Sequence, residues 1–171
     1  KFWKATRDFL TDKGFLEIDT PTLEVTTGGA EANPFKTKHD DFDLDVYLRI
    51  SVGELWQKRL MAAGFPKTFE IGKIYRNEGT SAEHLQEFTN LEFYWAYTDY
   101  EKLMEFLERL FKHVVQETLG TSSHQYQGKT VDWSSSWKRY DYYGEFEKHT
   151  GLKLQEAREK DLMNYAKDND I

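Results

Sequence analysis

Two short stretches of the chain set out residues that could handle a ligand charged at both ends. In TFEIGKIYRNE (68–78), strand-like alternation puts Glu70, Gly72, Ile74, Arg76 and Glu78 on one side. In 88–97 it puts Phe88, Asn90, Glu92, Tyr94 and Ala96 on one side of a second strand. Paired as an antiparallel hairpin with a long polar tip at 79–87, they would offer Arg76 and Glu78 beside Glu92 and Tyr94. Two carboxylates, a guanidinium and a phenol are costly to bury unless they pair or meet a polar ligand. The planar fork of arginine donates two parallel hydrogen bonds to a phosphate or carboxylate, and paired carboxylates suit an ammonium group. The face therefore proposes a ligand with an anionic end and a cationic end. A solvated sheet face with ordinary cross-strand ion pairs is the alternative, and pattern alone leaves both open.

Such a hairpin needs elements to hold it. Phe2, Ala5, Phe9 and Leu10 recur at helical spacing, so 2–14 is predicted helical with Gly14 as its stop. A short strand follows at 15–18, closed before Pro21, which lacks a ladder donor. Residues 26–35 (TTGGAEANPF) read as a loop, 47–50 as a strand, and 53–63 as a helix burying Leu55, Leu60 and Trp56. The clearest helix is 99–119, with Thr98 and Glu101 spaced as a capping box, an apolar stripe from Leu103 to Val114, and Gly120 as its stop. A hairpin turning at Gln127-Gly128 is expected over 125–133, and the polar remainder is helical in parts.

With 171 residues, 39% of them hydrophobic and 16% aromatic, the chain can bury a core despite 31% charged residues. There is no cysteine, which excludes a disulfide framework, a thiol nucleophile and a zinc–thiolate site. The lack of cysteine fits a reducing cytoplasmic location, and no apolar run approaches the ~20 residues that span a bilayer, so no membrane partner is expected. A net charge of −7 is unfavourable for a stand-alone nucleic-acid binder. The sequence opens at Lys1 in what reads as the middle of a helix, and is expected to be an excised piece of a longer protein.

The strings FEIGKIYRNEG and HLQEFTNLEFYWAY resemble motif 2 of the class II aminoacyl-tRNA synthetases, and GFLEIDTP resembles motif 1. GGAEANPF, DLDVYLRI and ELWQKRL, in that order, are similar to the lysyl-tRNA synthetases in particular. The resemblance implies an α+β fold, a mainly antiparallel sheet flanked by helices, with 1–171 a single partial catalytic domain (motif 1 about 2–21, motif 2 about 68–97). It also implies roles. Arg76 would grip the α-phosphate of ATP and the substrate carboxylate, as the catalytic residue. Glu78 would face the adenine amino group, His84 the triphosphate tail, and Phe88 would stack on adenine. Glu54 would receive the α-ammonium of lysine, Glu92 and Tyr94 its ε-ammonium, and Gly29 and Ala30 would lie against the amino acid.

Three departures from that family pattern stand out. Ser51-Val52-Gly53 precedes Glu54 where a proline is usual, Asn33 replaces a basic residue, and Leu85-Gln86 follows His84 in place of Asn-Pro. The glycine-rich motif 3 is not found in these residues, and the Mg²⁺ ligands are expected there, with no metal site within this chain. The implied activity is ATP-dependent formation of lysyl-adenylate and transfer of lysine to the 3′ end of tRNA(Lys) by a homodimer, these residues alone being incomplete for it. Two rivals remain: a paralogue that attaches lysine to a protein, and a non-catalytic synthetase-derived binding or dimerisation module.

Overall fold

The helical stripe at the start of the chain becomes α1 (Phe2–Asp12) in the computed structural model, which describes all residues from Lys1 to Ile171. Ala5, Thr6, Phe9 and Leu10 are its buried side. The helix closes in a Schellman arrangement: Gly14 N–H donates to the Thr11 carbonyl and Phe15 N–H to that of Leu10. The chain then gives β1 (Leu16–Glu17), β2 (Leu23–Glu24), β3 (Lys36–His39), β4 (Leu44–Leu48), α2 (Glu54–Ala62), β5 (Lys67–Tyr75), β6 (Glu87–Trp95), α3 (Tyr100–Leu119), β7 (Ser123–Tyr126) and β8 (Lys129–Asp132). After these come α4 (Tyr142–Thr150) and α5 (Glu159–Asp168). No helix is long and apolar enough to cross a membrane.

The chain divides into two compact units, Lys1–Ser134 and Ser135–Ile171. In the second, the Asp141 side chain accepts from the Gly144 N–H at 2.6 Å to start α4, and the Asp161 carboxylate accepts from the Arg158 N–H at 3.1 Å and from Arg158 Nε at 3.0 Å at the start of α5. The Tyr165 hydroxyl of α5 donates to the His149 carbonyl of α4 at 3.3 Å.

In the first unit β5 and β6 pair antiparallel along their whole length, with Thr68 opposite Tyr94, Glu70 opposite Glu92, Gly72 opposite Asn90 and Ile74 opposite Phe88. The short β1 adds to β5 in parallel, so the order is β1-β5-β6; β2, β4 and β3 form a separate antiparallel sheet in that order. Alternation then sorts the hairpin into two faces. Phe69, Ile71, Leu91, Phe93 and Trp95 meet the core built by α1 and α3. Phe106 sits at its centre, with ring centroids 5.4 Å from Phe9, 5.4 Å from Phe15 and 5.3 Å from Trp95. Each such aromatic contributes about 1.5–3 kcal/mol by burial, which anchors the hairpin from behind. The other face, with Glu70, Gly72, Asn90, Glu92 and Tyr94, is covered by the irregular segment after β4 and the start of α2.

Several boundaries depart from the sequence reading. The ladder ends at Tyr75, so Arg76 and Glu78 stand beyond the strand rather than within it. The cap of α3 is Asp99, whose side chain accepts from the Lys102 N–H at 2.9 Å, one residue past the Thr98 of the expected capping box. In α2 the fully buried residue is Gln57, not Leu55, Leu60 or Trp56. Strands β2 and β3 were not anticipated, because β3 is fully exposed and charged (KTKH) and offers no apolar alternation. The turn at Gln127-Gly128 is where the pattern puts it, both residues having positive φ.

Candidate active site

Beyond the end of β5, the Arg76 N–H still donates to the Gln86 carbonyl at 2.8 Å, which keeps the two chains together for one more step. The hairpin then opens into a cleft of about 230 Å³ lined by Arg76, Glu78, His84, Gln86 and Phe88 among others. The guanidinium carbon of Arg76 lies 5.4 Å from the Phe88 ring centroid, a cation–π contact that orients the fork. Arg76 Nε is buried and has no hydrogen-bond partner in the protein. A buried donor left unmade costs about 1–3 kcal/mol, so this one marks where an anionic or polar ligand atom is wanted.

Glu78 and His84 line the same cleft. Glu78 Oε1 accepts from the Asn33 N–H at 3.1 Å, and Asn77 N–H donates to the Asn33 carbonyl at 2.7 Å, so the 26–35 loop is stitched to the hairpin tip. Gln86 Nε2 donates to the Glu78 carbonyl at 3.1 Å. His84 Nδ1 lies 2.7 Å from Ser81 Oγ, leaving Nε2 turned away from that bond. The departure at Asn33 acquires a concrete meaning here: its backbone, not its side chain, holds Glu78.

The second group of candidates lies farther back on β6. Glu92 is four residues from Phe88, about 13 Å along a strand at ~3.3 Å per residue. Glu92 Oε1 accepts from Ser51 Oγ at 2.6 Å, the Val52 N–H at 3.1 Å and Asn90 Nδ2 at 3.2 Å. Glu54 opens α2 and pairs with Lys58 one turn on. Tyr94 is close enough to both carboxylates to feel them. Its phenol is pushed up to about 12, first by burial and then by the charges of Glu54 and Glu92. It therefore stays a neutral hydroxyl donor at any working pH. Gly29 completes the wall: its φ is +93°, and a β-carbon there would lie 2.6 Å from Ser51 Cβ and 2.8 Å from Glu54 Oε2. Ala30, next in the loop, is half-buried.

The structure thus divides the single face expected from alternation into two neighbourhoods. Arg76, Glu78, His84 and Phe88 gather at the tip; Glu54, Glu92, Tyr94 and Gly29 gather around the start of α2. Both rest on a layer the sequence reading passed over. Arg49 and Glu70 are 3% and 2% exposed and bonded at 2.5 Å, Arg49 Nε donates to the Lys73 carbonyl at 2.8 Å, and Thr20 Oγ1 donates to Glu70 Oε2 at 2.6 Å. A β-carbon at position 72 would run into Arg49, which is why that strand position holds glycine. The only signal for this layer was Glu70 in the alternation and Arg49 in DVYLRI, neither of which declares a partner.

Chemically, the tip can hold an anion against a planar ring, and the carboxylates of Glu54 and Glu92 behind it suit ammonium groups. No set of three or more His, Cys, Asp or Glu side chains converges as a metal ion requires, so these residues do not by themselves fit Mg²⁺.

The comparisons with known proteins bear on the family of the chain. The model of the family "tRNA synthetases class II (D, K and N)" matches residues 1–170. The chain is 42% identical over 168 residues to the lysine–tRNA ligase of Thermosipho africanus, covering 98% of this chain and 33% of that protein. It is 45% identical over 160 residues to that of a Thermotoga species, covering 94% and 32%. Against the Bacillus subtilis lysine–tRNA ligase, identity is 40% over 172 residues, covering 100% and 34%. The chain spans about a third of the length of these curated relatives. Since the family model runs across nearly every residue, from α1 through the paired strands to α5, this chain belongs to the class II tRNA synthetases of the D, K and N group.

Proposed function

We propose that the protein activates lysine with ATP and transfers it to tRNA(Lys), and that both compact units belong to one catalytic domain of it, in a cytoplasmic homodimer. The observation that carries this reading is the spacing of two groups of side chains along the hairpin. Phe88, the ring beside the unpartnered Arg76 donor, stands about 13 Å along β6, at ~3.3 Å per residue, from Glu92, which has Glu54 and the neutral phenol of Tyr94 as neighbours. An adenylate would lie toward the tip and a diamino acid toward α2.

In the first step a lysine carboxylate oxygen attacks the α-phosphorus of ATP, the bond to the bridging oxygen breaks, and pyrophosphate leaves. Arg76 binds the α-phosphate and the incoming carboxylate. Because negative charge concentrates there as the bond forms, its hydrogen bonds strengthen toward the transition state. Phe88 stacks on adenine, Glu78 accepts from the adenine amino group, and His84 meets the phosphate tail. Glu54 receives the α-ammonium, while Glu92 and Tyr94 take the ε-ammonium. In the second step the tRNA 3′-terminal hydroxyl attacks the carbonyl and AMP leaves. Mg²⁺ would travel with ATP and neutralise its phosphates.

Selection against aspartate and asparagine follows from the same pocket. A carboxylate facing Glu92 is repelled, and an amide leaves that charge unpaired, a penalty of about 1–3 kcal/mol or more. ATP–pyrophosphate exchange by the full-length protein tests the reading. Lysine-dependent exchange is expected, and exchange driven by aspartate or asparagine instead refutes it. A charging assay completes the test, since lysine transferred to a protein acceptor but not to tRNA would replace the second step.

A further inference from the structure

Glu92 is anchored through only one of its two oxygens. Ser51, the Val52 amide and Asn90 all donate to Oε1, at 2.6, 3.1 and 3.2 Å, and Oε2 accepts from no protein group. Ser51 is 4% exposed, so its hydroxyl is largely shielded from solvent. Below the carboxylate, the fully buried Gln57 donates Nε2 to the Val52 carbonyl at 3.0 Å and to the Glu92 carbonyl at 3.3 Å. Its own Oε1 accepts from the Thr68 hydroxyl at 2.9 Å. The backbone that carries the carboxylate and the backbone that carries its donors are therefore tied to each other and to β5.

A glutamate side chain has several rotatable bonds, and left alone its carboxylate would sample a range of depths in the pocket. Three donors on one oxygen remove that freedom before any ligand arrives. The remaining oxygen then stands at one height above the sheet. An ammonium on a side chain one methylene shorter cannot reach it without loss, whereas a carboxylate free to swing could follow the shorter chain down.

We propose that Ser51 and Asn90 are specificity-determining positioning residues, which fix Oε1 of Glu92 so that Oε2 meets the terminal ammonium of a diamino acid of one side-chain length. The inference rests on the lysine-activating reading and adds what sets the length selected.

The test is ATP–pyrophosphate exchange by the full-length protein, with lysine and ornithine as the probes. Ser51→Ala is expected to raise the KM for lysine about tenfold, the effect of a lost hydrogen bond to a charged group, while the KM for ATP stays within about twofold. The lysine-to-ornithine ratio of kcat/KM should fall by about fivefold or more, as the gauge for one methylene loosens. Asn90→Ala, at a half-buried position, should move both quantities in the same direction and less far. A lysine-to-ornithine ratio unchanged in both variants overturns the proposal, and so do equal rises in the KM values for lysine and ATP, which would mean general damage. Exchange that follows aspartate or asparagine in the unaltered protein removes the underlying reading, a result seen before any variant is made.

Discussion

Replacing Glu70 by glutamine should cost this protein a large part of its stability without creating a cavity. The side chain keeps its volume, so the loss is electrostatic. In the native structure Arg49 is 3% exposed and its charge is met by Glu70 Oε1 at 2.5 Å, with the Thr20 carbonyl and hydroxyl each at 3.1 Å. An amide can still accept from the guanidinium, but it cannot neutralise it, and water does not reach the site. Removing one partner of a buried pair costs about 3–5 kcal/mol because the other charge is left uncompensated. Glutamine retains one acceptor, so about 3 kcal/mol is expected, a sizeable share of the about 5–15 kcal/mol that holds a domain together. For a domain of this size that corresponds to a melting temperature lower by about 6–12 °C. Thermal melts and urea titrations followed by far-ultraviolet circular dichroism measure it. The double variant Arg49→Met, Glu70→Met should recover much of the loss, since an apolar pair of similar size avoids desolvating two charges. A Glu70→Gln protein that melts within about 2 °C of the parent, less than about 1 kcal/mol, would refute the view that Arg49 is held by charge.

Gly29→Ala should raise the amino-acid KM while leaving that for ATP nearly unchanged, since its β-carbon meets Ser51 and Glu54 rather than the tip cleft. The left-handed backbone at φ +93° adds about 1–2 kcal/mol of strain, so kinetics and a melt should be read together. Tyr94 supplies a pH dependence. Its folded value of about 12 lies above the ~10 of a free phenol, so its contribution is complete below about pH 10 and is lost as pH rises through about 12. Urea titrations at about pH 9 and about pH 11 should show a steeper alkaline loss for the parent than for Tyr94→Phe; parallel losses would contradict the raised value. At the start of α3, Asp99→Ala should cost about 1 kcal/mol in denaturant titrations by removing the cap to Lys102. Thr98→Ala, whose hydroxyl makes no hydrogen bond, should cost less.

Alternation alone located the hairpin and its polar face, because a strand with one face in the core must repeat every second residue, and Phe69, Ile71, Leu91 and Phe93 did so. Helical spacing located α1 and α3 for the same reason. What failed to show was set by contacts distant in sequence. Gln57 has no apolar signature, and its burial is explained only by Thr68 and the Glu92 carbonyl, which partner both ends of its amide. Strand β3 exists because β4 offers it a ladder, with Lys36 opposite Tyr47 and His39 opposite Leu44, not because KTKH favours extension. Arg76 and Glu78 were placed on the sheet face by extending a period past Tyr75, where pairing gives way to an open tip whose geometry is fixed by the backbone of Asn33. Resemblance to known motifs reached the candidate residues themselves, but it could not reach Ser51, which has no signature until Glu92 is beside it.

Glu70 and Glu92 show most clearly why residue type and face are insufficient. They sit directly opposite each other on neighbouring strands and point to the same side, an arrangement that is unfavourable for two like charges. Alternation puts both on one face and says nothing of their partners. The chain that crosses above them, residues 49–53, separates their roles. Arg49 claims Glu70 with a full positive charge, which leaves that carboxylate 2% exposed and spent on the fold. Two residues on, Ser51 and Val52 offer Glu92 only neutral donors, and Asn90 offers another. Neutral donors orient a carboxylate without cancelling its charge, so Glu92 retains an uncompensated negative charge beside Glu54 and Tyr94. A cation is the ligand that relieves this, and a side chain of Arg49's charge at position 51 would remove the demand. The distinction between a structural glutamate and a binding one therefore lies in whether the crossing segment meets it with a charge or with a dipole.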